Sequence, residues 1–211
     1  MKWIIFALLL GSLCACQASA TTDYRPGVAL LLVGDGLSAN EQIPVELSCV
    51  NLLDERLHQQ GVLRSNQTIV NASTKSNNSR DASQYLSNLL HQHRPQVVVL
   101  QFALNESSQT KEQFRDQMLF MIDASERAGA KVVLMKVKMP YVLKITGNNI
   151  EDVYDEVAQK RQVPVILFPL HDIFEKGLLQ ADRLHPSIEG QIPLMKTIDV
   201  QLRPWINLPQ K

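Results

Sequence analysis

Five short apolar runs constrain this chain more than anything else in it: residues 28–33, about 67–71, 96–102, 131–137 and 164–168. They are rich in β-branched residues and bounded by turn-forming or charged ones, the pattern of strands buried on both faces. Longer segments between them carry apolar residues at helical spacing. One stripe is Ile43, Leu47, Val50, Leu53 and Leu57, and a second is Leu86, Leu89, Leu90 and His93. A third is Phe114, Met118, Met121, Ile122 and Ser125, and a fourth is Ile150, Val153, Tyr154 and Val157. A last helix is expected from Ser187, and Pro193 within it predicts a late start or a kink, since proline has no N–H for the helical ladder. Alternation of such strands with helices predicts an α/β domain, a parallel five-stranded sheet covered by helices on both faces. With 211 residues the chain suits one such domain with a full core, without repeats or low-complexity linkers.

The first twenty residues stand apart from that pattern. Lys2 begins a positive n-region, and Trp3 to Leu13 form an apolar stretch too short to span a bilayer. Two endings fit. Ala18-Ser19-Ala20 suits a signal peptidase and would release a soluble chain over 21–211; Leu13-Cys14-Ala15-Cys16 resembles a lipobox, with cleavage before Cys16 and a lipid on that cysteine. The lipoprotein ending is favoured, and either one predicts an exported domain. Cys49 is then the single cysteine of the mature domain, so no internal disulfide is expected, and its place in a helical stripe predicts a small core residue. Lys and Arg together number 21, as do Asp and Glu, with no basic cluster, which argues against a nucleic-acid partner.

In an open α/β sheet, loops at the carboxyl ends of the strands build the site. Those loops begin here at Gly34, Asn71 and Ala103, and residues 71–83 are the most polar stretch in the chain. Asp182-Arg183-Leu184-His185-Pro186, near the C-terminus, offers an imidazole base with an acid three residues earlier that can fix its tautomer. Taken alone, the pair reads as a loop aspartate and a helix-flanking histidine.

Taken with Gly34-Asp35-Gly36-Leu37-Ser38 at the end of the first strand, it resembles the first and last blocks of the SGNH/GDSL ester hydrolases, whose first block reads Gly-Asp-Ser-Leu. Val70-Asn71-Ala72-Ser73, His91-Gln92-His93-Arg94-Pro95 and Leu134-Met135 extend the resemblance over nearly the whole mature chain. The nearest branch is the exported thioesterase I, lysophospholipase and arylesterase group. The resemblance implies a flavodoxin-like three-layer α/β/α sandwich, a periplasmic place, acyl-ester or lipid-like ligands, and no cofactor. By the same resemblance His185 is the base, Asp182 its orienting acid, and Gly36, position 76 and Asn105 the oxyanion donors.

The departures are as specific as the match. Gly36 stands where the family carries its nucleophilic serine. Ser76 replaces the glycine of the second block; its N–H is expected to donate still. The third block, Gly-x-Asn-Asp in the family, reads Ala103-Leu104-Asn105-Glu106. Glycine cannot be acylated, and loss of the nucleophile in triad hydrolases costs about a million-fold in turnover. Ser38 reads as a structural residue, a cap for instance, and Ser73, Ser76 and Ser107 as turn residues. The first expectation is therefore a degenerate hydrolase. The second is an atypical esterase using Ser38, Ser76 or a water activated by His185. The third is a periplasmic binding module for a lipid or acyl ligand. His58, His91, His93, His171 and His185 lack metal-ligand spacing, so no metal is expected.

Overall fold

The computed structural model describes residues 27–140 and 150–206. The signal-segment reading of residues 1–20, Cys16 included, lies outside them. Five strands form one parallel sheet in the order β2-β1-β3-β4-β5. They are β1 (Gly27–Gly34), β2 (Gln67–Asn71), β3 (Val97–Gln101), β4 (Lys131–Val137) and β5 (Val165–Phe168). All five expected runs are strands, with ends shifted by a residue or so. The helices are α1 (Gly36–Ala39), α2 (Cys49–Gln59), α3 (Ser79–His93), α4 (Lys111–Arg127), α5 (Glu151–Arg161), α6 (Leu170–Glu175) and α7 (Ile188–Leu202).

The sheet separates two apolar cores because side chains alternate across it. Val97 and Val99 of β3 and Val133, Met135 and Val137 of β4 pack with Leu53 and Leu57 of α2 and Leu194 and Ile198 of α7. Val98, Leu100, Val132 and Leu134 face the other way, onto Leu86 of α3, Phe114 and Met118 of α4, and Tyr154 of α5. The result is the expected three-layer α/β/α sandwich. Cys49 is buried at the start of α2, and burial pushes its thiol pKa up to about 12.

Two local expectations change. The stripe from Ile43 to Leu57 is not one helix: a 3₁₀ turn, Val45–Leu47, precedes α2. Pro44 opens that turn, and the Ser48 hydroxyl accepts from Asn51 N–H and caps α2 there, so Leu47 is left 40% exposed. Nor does Pro193 delay the last helix. Ser187 caps α7 through the Gly190 N–H and the helix runs through Pro193, which forgoes only the bond to the carbonyl of exposed Glu189.

Candidate functional site

The loops after β1 and β3 meet because one carboxylate ties them together, and the loop after β2 joins them through the Thr74 N–H, which donates to the Gly34 carbonyl (3.3 Å). Asp35 follows β1, is fully buried and caps α1: its Oδ1 accepts from Leu37 N–H (3.1 Å) and from Gln101 Nε2 (3.0 Å). Its Oδ2 accepts from the backbone N–H groups of Ala103 (2.6 Å) and Leu104 (2.7 Å). Burial raises the Asp35 pKa, and the hydrogen bonds from Leu104, Ala103, Gln101 and Leu37 only partly oppose it. Gly34 is obligatory beside this knot. A Cβ there would lie 2.7 Å from the Gln101 carbonyl oxygen.

Position 36 carries no such restriction. Its φ is not in the left-handed region, and a Cβ on it would meet the His185 Nε2 at 3.0 Å and the Lys75 carbonyl oxygen at 3.4 Å. The site is therefore assembled around a bare Cα. His185 sits on a loop that bonds to itself: Gln180 N–H donates to the His185 carbonyl (2.8 Å), and Ser187 N–H to the Leu178 carbonyl (2.8 Å). Its Nδ1 is 2.7 Å from Asp182 Oδ2, while Asp182 Oδ1 accepts from the N–H groups of Leu184 (2.9 Å) and His185 (3.1 Å). With Nδ1–H donating to Asp182, Nε2 presents its lone pair to Gly36. Partial burial of Asp182 would raise its pKa, but the Leu184 N–H and the His185 ring and N–H outweigh it and hold the carboxyl below its ordinary value.

Asn105 also comes to the site, but its amide hydrogens are engaged. Nδ2 donates to the carbonyls of Lys75 and Asn77, at 2.8 Å each. The expectation that Ser76 N–H donates beside Gly36 meets a peptide in the opposite sense, because Lys75 places its carbonyl on that side. The Lys75 ammonium pairs with Glu41 (3.0 Å), linking the loops after β2 and α1.

The other serines take structural places. Ser38 is buried and its hydroxyl donates to Gln101 Oε1 (2.6 Å), so it holds the β3 end; the cap of α1 is Asp35. Ser73 packs against Gly34, and Ser76 and Ser107 are exposed. Sequence reasoning missed Glu106 as a structural anchor. It is buried, its Oε1 accepts from Ser79 N–H (2.8 Å) at the start of α3, and its Oε2 accepts from the Ser79 hydroxyl (2.8 Å). Burial raises its pKa, Ser79 opposes that, and the Asp35 charge adds to it. Among the described residues no three His, Cys, Asp or Glu side chains are grouped as ligands of a metal ion would be. A cleft of about 320 Å³ opens beside the end of α1, lined by Ile43, Val50 and Ile69 together with the polar Asn40, Asn51 and Asp54.

No protein-family model matches the chain. Over 166 residues it is 30% identical to the arylesterase of Vibrio mimicus, which covers 77% of this chain and 82% of that protein. The chain belongs to the SGNH/GDSL hydrolase family. A second family member, esterase TesA of Pseudomonas aeruginosa, is 28% identical over 194 residues, 88% of this chain and 92% of its own. Thioesterase 1/protease 1/lysophospholipase L1 of Escherichia coli is 27% identical over 213 residues, 98% of this chain and 95% of that one. The crystal structure of TesA superposes with a TM-score of 0.74 at 27% identity, over 84% of this chain and 99% of that chain. Esterase EstA from Pseudoalteromonas sp., at 22% identity, shares the fold with a TM-score of 0.76 over 86% of this chain and all of its own. The SGNH fold expected from the sequence is thus the fold observed.

Proposed function

We propose that this protein is a degenerate member of the SGNH/GDSL family: an exported domain that retains the base and orienting acid of an ester hydrolase and has lost covalent acyl transfer. One observation carries the reading. The His185 imidazole, oriented by Asp182, is aimed at the Cα of Gly36, where no atom can be acylated. Acyl transfer through an enzyme-bound ester needs that atom. The engaged hydroxyl of Ser38 and the exposed turn position of Ser76 weigh against a relocated nucleophile. The activities named for the relatives, arylesterase and lysophospholipase, suggest acyl esters or lipid-like molecules as ligands. Lys2 and the apolar stretch to Leu13 support export, with a tether at Cys16 if cleavage falls there.

The test is hydrolysis of p-nitrophenyl butyrate by the unaltered protein, alongside labelling with a fluorophosphonate and peptide mass spectrometry. Turnover about a million-fold below that of an intact triad, with no labelled serine, is expected. Rapid turnover, or an adduct on Ser38 or Ser76, would sink the reading.

A further inference from the structure

We propose that the side chain at Ser76 fixes which end of the Lys75–Ser76 peptide faces Gly36, and so closes the site to oxyanion-bearing ligands independently of the absent hydroxyl. The inference deepens the degenerate-hydrolase reading and takes from it only that the Gly36 region is the ligand site.

Residues 74–77 form a β-turn, with Asn77 N–H donating to the Thr74 carbonyl at 3.2 Å. The peptide between residues 75 and 76 is its central one. It is trans, and neither Lys75 nor Ser76 has a positive φ. Types II, I′ and II′ each require a positive φ at a central residue, which leaves the type I arrangement. In that arrangement the Lys75 carbonyl stands over Gly36 and takes one hydrogen of the Asn105 amide; the Asn77 carbonyl takes the other. A trans peptide points its N–H opposite to its carbonyl. The Ser76 N–H is therefore directed away from Gly36.

The space above Gly36 is thus faced by two acceptors, Lys75 oxygen and His185 Nε2. As it stands it suits a hydrogen-bond donor such as water, an alcohol or an ammonium group. Rotating the single central peptide would reverse this. The Ser76 N–H would turn in, and one Asn105 hydrogen would be released from the departing carbonyl. Two donors would appear together, as stabilisation of an oxyanion requires. That rotation converts type I to type II, which places residue 76 at a φ near +80°. Glycine adopts this φ freely and serine resists it. Ser76 is exposed, so the obstacle is its Cβ and not its surroundings.

The experiment compares the unaltered protein with the Ser76→Gly and Ser76→Ala variants, each with Gly36 in place. The probe is n-butylphosphonate, followed through the ¹⁵N and ¹H shifts of the His185 imidazole. Ser76→Gly is expected to bind about five- to thirty-fold tighter, the ratio set by the left-handed penalty it removes. Ser76→Ala keeps the Cβ and is expected to match the unaltered protein. Equal affinity for all three, or tighter binding by Ser76→Ala as well, overturns the proposal. A second arm measures kcat/KM on p-nitrophenyl butyrate, where Gly36→Ser with Ser76→Gly should exceed Gly36→Ser alone by about a hundred-fold or more. Equal rates there also overturn it. The binding arm needs no nucleophile, so activity in the unaltered protein would overturn the degenerate reading while leaving this comparison to decide the role of Ser76.

Discussion

The His185 Nε2 lies 3.0 Å from the point a Cβ on Gly36 would occupy. The contact is tight by a few tenths of an ångström, and the atom that must yield is the end of a side chain. Gly36→Ser should therefore fold, with a stability change within about 1 kcal/mol by urea denaturation. It should also place a hydroxyl within reach of the imidazole. Fluorophosphonate should label the G36S variant at position 36, and adding His185→Ala should abolish the labelling. Labelling that survives loss of His185 would mean that the imidazole does not serve that position.

The Asp182–His185 pair has a pH signature of its own. The folded-state pKa of Asp182 is depressed, so its contribution to stability is present above the ordinary carboxylate value near 4 and is lost as pH falls through the lower folded value. Asp182→Asn should be less stable than the unaltered protein at pH 6, and the gap should close by about pH 2–3. Urea titrations at the two pH values check this, and a gap independent of pH would count against the pair.

Glu106 carries the opposite sign. Burial raises its folded pKa, so the stability linked to its proton is present below the ordinary glutamate value and is lost as pH rises through the folded value. Glu106→Gln keeps an acceptor for the Ser79 N–H without the titration. The stability of the variant relative to the unaltered protein should therefore rise between pH 4 and pH 7. Asp35, raised for the same reason, stays in the variant and should leave part of the slope in place. A flat difference across that range would contradict the assignment to Glu106.

Tyr154 closes the backbone where β3 ends. Its hydroxyl accepts from Phe102 N–H (2.8 Å) and donates to the Phe102 carbonyl (3.0 Å) inside the core. Tyr154→Phe leaves both groups buried without that partner, at a cost of about 1–3 kcal/mol. Thermal unfolding is the readout, and an unchanged midpoint would show that the strand end finds another partner.

The five strands and the sandwich were legible in the sequence because each β-branched run sits between helical stripes, and burial on both faces leaves the central strands β1, β3 and β4 plainly apolar. The Asp182–His185 pair was legible because only two loop residues separate them. Less was visible where one residue decides backbone direction. The stripe through Ile43 and Leu47 has helical spacing, but Pro44 and the cap at Ser48 begin the helix later. Ser76 could be placed opposite Gly36 by resemblance, yet the sense of its peptide depends on the sign of a φ angle, which apolar patterning does not encode. Glu106 read only as a departure from the family's aspartate, whereas its carboxylate anchors the start of α3 through Ser79.

Four donors converge on the buried carboxylate of Asp35, and none of them comes from residue 36 or residue 76. The spacing of the loops after β1 and β3 is thus set by a group buried beneath the rim. Reagent and mould are separate here: the hydroxyl can vanish and a turn can reverse while the cast keeps its form. A site built this way can change what it greets at the rim without unsettling the walls around it.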